Sequence, residues 1–249
     1  MLTHIHSDES RSVLPQIFFI AICVMLSGLI VVDCFANEKP ANASIPAYRQ
    51  MRLSSILLKS TDASGIEQHA IHMQKLDEIL GILHAHAASY PTRFASDDDR
   101  DQARGDAEKL SEFFDVTVTT DSDDAGMLLR AAMLNAMGHH LDVKGCAKKA
   151  NAFFERLVEL KPDTANVHQQ YGFFLGSSGQ SKKAIVHLTM ARELGAPVTV
   201  SLAMAHFAAG NRREAIRLLT VQVSQNPSDR QATSLLAAIQ SNRAFVKSK

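Results

Sequence analysis

Apolar positions along most of this chain fall three or four residues apart, the spacing of a helical stripe. Ile66, Ala70, Met73, Leu76, Leu80 and Leu83 mark one such stripe over 66–88, and Pro91 ends it. A second stripe runs through Ala103, Ala107, Leu110 and Phe114. It follows Ser96-Asp97-Asp98-Asp99, a serine N-cap with acids in the first turn, where the helix dipole favours them. Asp121-Ser122-Asp123-Asp124 reads as the cap of the next helix, and Tyr48 to Leu58 as one more short helix. From Ala131 onward the pattern recurs. Gly145, Ala150, Phe154 and Leu157 return 34 residues later as Gly179, Ala184, Leu188 and Ala191. Gly210, Ala215 and Leu219 then follow at a shift of 31, while Pro162 finds its echo only in Pro227. A repeat of this length, built from two helices, predicts an α-solenoid, whose product is a binding surface. A last helix over Arg230–Phe245 is expected to cap the end.

The N-terminus breaks the pattern. Residues 17–32, IFFIAICVMLSGLIVV, carry no charge. Asp33 ends the run, and Cys34-Phe35-Ala36 suits cleavage after Ala36. Cleaved signal peptide and retained membrane anchor both remain open; either predicts an exported, periplasmic or extracytoplasmic protein. Asp33 directly before Cys34 argues against a lipoprotein. The Pro- and Ala-containing stretch Asn37–Pro46 reads as a linker. The predicted organisation is therefore 1–36 as signal or anchor, 37–60 as a poorly structured linker, 61–130 as an N-terminal helical region, and 131–245 as the repeat domain.

Composition supports a helical chain, with 46% hydrophobic residues, no Trp and three Tyr in 249 residues. Formal net charge is zero, which argues against a protein devoted to nucleic acid. The neutrality is a cancellation. Ser96–Asp124 holds eleven acids and three bases, whereas Leu141–Lys249 holds fifteen bases and seven acids. Two readings follow: solvated helix faces that differ in sign, or a basic face meeting an acidic partner or anionic membrane.

The segment from Ala131 resembles the tetratricopeptide repeat family. The residues that carry the resemblance are Leu134, Met137, Gly138, Leu141, Ala150, Phe154, Leu157 and Pro162 in the first repeat. The second gives His168, Tyr171, Gly172, Leu175, Ala184, Leu188 and Ala191; the third gives Thr199, Leu202, Ala203, His206, Ala215, Leu219, Gln222 and Pro227. Gly138, Gly172 and Ala203 would let the first helix of each pair approach the second, answered by Ala150, Ala184 and Ala215. The second repeat is three residues short and lacks its closing proline, so Gly195-Ala196-Pro197 predicts a tighter exit and an irregular junction. His168, Thr199 and Gln222 stand where the family packs apolar groups.

The resemblance implies a concave wall built from first-helix residues. These are Asn135, His139 and Asp142, then Asn166, Gln169 and Phe173, then Val200, Met204 and Phe207. The wall is polar at one end and apolar at the other. Phe173, Met204 and Phe207 resemble an apolar anchor for a peptide or partner helix; packing under flanking helices is the alternative. Asn135 fits the carboxylate clamp of some relatives, but the lysines and arginines of that clamp are missing from these positions.

Other chemistry is thin. His69 and His72, three apart, would share a helical face, and His84, His86, His139 and His140 are further histidines, yet no zinc-ligand spacing is present. Nucleophile-elbow, phosphate-loop and zinc-protease motifs are absent. The expectation is a non-enzymatic adaptor without cofactor or metal, binding a protein or peptide in its groove. The alternatives are a structural subunit that stacks or self-associates and, less favoured, a metal-binding or enzymatic protein.

Overall fold

The computed structural model describes residues 47–49, 51–61, 65 and 67–241. The apolar run at 17–32, the junction at Ala36 and the end of the helix expected to reach Phe245 lie outside the described residues. Among the described residues, a two-stranded sheet precedes nine α-helices. The strands are β1 (Leu57–Thr61) and β2 (Glu67–Ile71). The helices are α1 (Met73–Ala87), α2 (Asp97–Thr117), α3 (Ala125–His140), α4 (Cys146–Leu160), α5 (Ala165–Ser177), α6 (Ser181–Glu193), α7 (Thr199–Ala208), α8 (Arg212–Gln225) and α9 (Arg230–Gln240).

The hairpin corrects three sequence expectations at once: an all-helical fold, a helix from Ile66, and a short helix over 48–58. β1 and β2 pair antiparallel from Leu57 opposite Ile71 to Thr61 opposite Glu67. Gly65, at φ +80°, supplies the left-handed residue of the connection, and the His72 amide donates to the Ile56 carbonyl at 2.7 Å to close the register. The apolar stripe of α1 therefore begins at Met73, while Ala70 belongs to a strand. Residues 53–56 form a single 3₁₀ turn.

The expected linker is also partly built into the core. Tyr48, Met51 and Ile56 are buried. The Tyr48 ring meets His86 and Phe94 edge-on, and its hydroxyl donates to Asp106 at 3.2 Å. The Tyr48 amide donates to Asp99, and the Met51 amide to Asp106. Burial first, then the Asp106 carboxylate, pushes the Tyr48 phenol well above its ordinary value.

The caps match the sequence. Ser96 accepts from the Asp99 amide, and Asp124 from the Met127 amide. Consecutive helices pack as α3 on α4, α5 on α6 and α7 on α8; α1 and α2 lie against α3, and α9 lies against α8. Their buried apolar side chains form one continuous core. Gly145, Gly179 and Gly210 sit between paired helices at φ +85°, +78° and +84°, where an L side chain would be strained. Close approach is enforced at two further glycines. A Cβ on Gly138 would lie 2.6 Å from Cys146 Sγ, and one on Gly172 would lie 2.6 Å from Leu188 Cγ. Ala184 lies 4.0 Å from a Cβ built on Gly176, one turn further along α5.

The shortened third pair has a different cause from the one expected. The exit after α6 (194–198) is no tighter than the 161–164 connection. The shortening lies in the helices, since α6 has 13 residues against 15 in α4, and α7 has 10 against 13 in α5.

Candidate partner-binding groove

The nine sequence-predicted groove residues do not share one environment. Asn135, on α3, is 0% exposed. Its Oδ1 accepts from Ser111 Oγ at 2.9 Å, and its Nδ2 donates to the Ala131 carbonyl at 2.8 Å. Both halves of the amide are satisfied, so Asn135 is an interhelical lock rather than a ligand group. Lys149 Nζ, from α4, donates to the same Ser111 hydroxyl at 2.9 Å and ion-pairs with Asp115 at 2.5 Å. The serine–lysine contact is thus part of a seam between α2, α3 and α4.

Asp142 leaves the predicted wall for another reason. It follows the end of α3 at φ +61°, where aspartate is among the tolerant residues. Its carboxylate pairs with Arg100 of α2 at 2.7 Å. His139 is half-buried, with its ring edge-on to Phe174 at 6.1 Å. Asn166 and Gln169 are half-buried on α5, and Asn166 Oδ1 accepts weakly from Gln170 at 3.4 Å.

The apolar members behave more alike. Phe173, Val200 and Phe207 are half-buried and packed on the core, whereas Met204 is 51% exposed. Val200, Met204 and Phe207 stand at i, i+4 and i+7 of α7, hence on one face. That face presents an apolar strip flanking an exposed methionine.

His168 and Gln222, two of the polar residues noted on the second and third pairs, have local partners. His168 is buried; one ring nitrogen, Nε2, lies 2.7 Å from the Pro162 carbonyl and the other, Nδ1, 3.0 Å from Nδ1 of His187. A carbonyl only accepts, so His168 Nε2 carries a proton, and the two Nδ1 atoms share the second hydrogen bond. Burial foremost, with His168 and Lys183 also lowering it and Glu155 opposing, brings His187 down to about 4. Tyr171 packs on His187, and its hydroxyl donates to Asn151 at 2.9 Å. Gln222 donates to Asp229 at 2.9 Å, tying α8 to the cap of α9. His140, with Nδ1 against the Ala87 carbonyl and Nε2 against Ser177 Oγ, links the ends of α1, α3 and α5.

His69 and His72 do not share a helix face: the first lies in β2 and the second precedes α1. Among the described residues, no group of three or more His, Cys, Asp or Glu is placed to hold a metal ion. No helix among them is long and apolar enough to cross a membrane. An exposed apolar face on α6, at Val186 and Met190, was not anticipated. Its signal was present in the i, i+4 spacing of two apolar residues on a helix already supplied with a core stripe. No family model, curated protein or solved structure matches this chain.

Proposed function

We propose that residues 131–229 are three tetratricopeptide-like repeats and that the chain is a non-enzymatic adaptor of a cell envelope, exported through residues 1–36, which docks an apolar peptide or partner helix on the first helices of its repeats. The observation that carries the docking is Met204, half-exposed on α7 between the partly buried Val200 and Phe207. A large apolar side chain held in water beside two others is the form of a preformed anchor site. The repeat reading is supported by the recurring glycine turns and by the two glycines that leave no room for a Cβ. With Asn135 buried and Asp142 paired, the docking surface narrows to Phe173, Val200, Met204 and Phe207, flanked by His139, Asn166 and Gln169.

Met204 also gives the cleanest test. Phe173 and Phe207 contribute to the core, so changing them confounds binding with folding. A random-peptide display library panned against the full chain in detergent micelles is expected to yield peptides with apolar anchors. Met204→Lys should weaken their binding at least about tenfold by placing a charge in the apolar contact. Val221→Lys, on α8, should leave it unchanged. Peptides indifferent to Met204→Lys would show that this face is not the docking site.

A further inference from the structure

Two exposed helix faces carry matching sequence spacing and opposite charge. On α6, Lys182, Val186 and Met190 recur every four residues, with Lys183 beside the first; Val186 is 64% exposed and Met190 40%. On α2, Glu108, Glu112 and Val116 recur at the same spacing, and Val116 is 83% exposed. Each stripe thus runs from charged to apolar along its helix over about 12 Å. Among the described residues, neither lysine and neither glutamate makes an ion pair. The two glutamates, four apart, repel each other. Lys148 and Arg213, also unpaired, occupy the positions of Lys182 in the neighbouring helix pairs and widen the basic surface.

We propose that the α6 face of one copy binds the α2 face of a second copy, with Lys182 and Lys183 against Glu108 and Glu112, and Val186 and Met190 against Val116. The occupant is a second copy because the chain itself carries both halves of the match and has zero net charge. The same pairing chemistry operates once within the chain, where Asp115 of α2 holds Lys149 of α4 at 2.5 Å. The contact is heterologous: each copy offers one face and keeps the other, so copies add head to tail. It uses none of the residues assigned to peptide docking.

The test uses the full chain in detergent micelles with Cys23→Ser and Cys34→Ser, and two tags to distinguish copies. Cys146 stays, since it is buried and burial raises its thiol pKa. A short bis-maleimide should join Val116→Cys on one copy to Val186→Cys on the other. That yield should exceed either homotypic pairing by at least about fivefold and fall at high salt. Glu108→Lys with Glu112→Lys, or Lys182→Glu with Lys183→Glu, should each reduce the crosslink about tenfold, because like charges then face each other. Mixing the two reversed proteins should restore it. Met204→Lys should leave it unchanged, which separates this contact from peptide docking. Equal heterotypic and homotypic yields overturn the proposal. So does failure of the mixture to recover when both proteins retain wild-type helicity by circular dichroism.

Discussion

Around α1 and α2 several joints between elements are polar and reach across long stretches of sequence; in the helix pairs from α3 to α8 they are local and largely apolar. Tyr48 reaches Asp106, and Arg130 grips Asp77 through two bonds of 2.6 and 3.0 Å. By contrast, Phe154 stacks on Tyr171 and Phe174, Leu188 fills the space over Gly172, and the Glu214–Arg217 pair stays within one helical turn. Among the described residues, four ion pairs cross between elements: Asp77–Arg130, Arg100–Asp142, Asp115–Lys149 and Asp123–Arg156. All four join the stretch 77–123 to the stretch 130–156. Two of them, Asp115–Lys149 and Asp123–Arg156, set an acid of Ser96–Asp124 against a base of Leu141–Lys249, so part of the charge asymmetry closes where the acidic region meets the first helix pair.

The comparison can be broken by removing one joint of each kind. Phe154→Ala is expected to cost most, about 3–5 kcal/mol, because it opens a cavity in a fully buried stack. Urea denaturation should show that loss equally at low and high salt. Arg130→Ala should cost about 1–3 kcal/mol, between an exposed and a buried pair, since both partners are largely shielded and Asp77 is left alone. Here the difference from wild type should shrink as salt rises. If both variants respond to salt alike, the contrast between the two regions is wrong.

Gly172→Ala sharpens the apolar side. The new methyl would meet Leu188 Cγ at 2.6 Å and the Leu188 amide nitrogen at 3.3 Å. Overpacking outweighs the gain of about 1 kcal/mol in helix propensity, leaving a net loss of about 1–2 kcal/mol in the thermal or urea midpoint. Gly176→Ala, with only an ordinary contact at 4.0 Å, serves as the benign control.

The smallest effect is the pH response of the His168–His187 pair. His187 titrates near 4 when folded, below the ordinary 6.5, so the folded chain binds fewer protons between those limits. Stability is fully present above that ordinary value and declines as pH falls toward 4. Screening by the half-exposed setting limits the effect to about 1 kcal/mol. His187→Gln should flatten this part of the pH profile of the urea midpoint, and an unchanged slope would remove the pair from the account.

Helix boundaries were legible because they depend on local spacing: Ser96 and Asp124 as caps, and Gly145, Gly179 and Gly210 as turns, were all readable in place. The hairpin was not. Ala70 and Ile71 extend a stripe that also satisfies a helix, and only pairing with Leu57 and Leu58 decides for a strand. The partners of the polar groove residues were hidden for a related reason. Asn135 is consumed by Ser111, 24 residues away, and Asp142 by Arg100, 42 residues away; periodicity records which face a residue occupies but not what lies opposite.

Cys146 gives this molecule a clock. Its sulfur sits beneath Gly138 between α3 and α4, buried, and burial raises its thiol pKa. A thiol reagent can reach it only when that helix pair parts, so the rate of its modification counts those openings. Ligands or neighbouring copies that steady the first helix pair should slow the count, without any residue of the chain being changed.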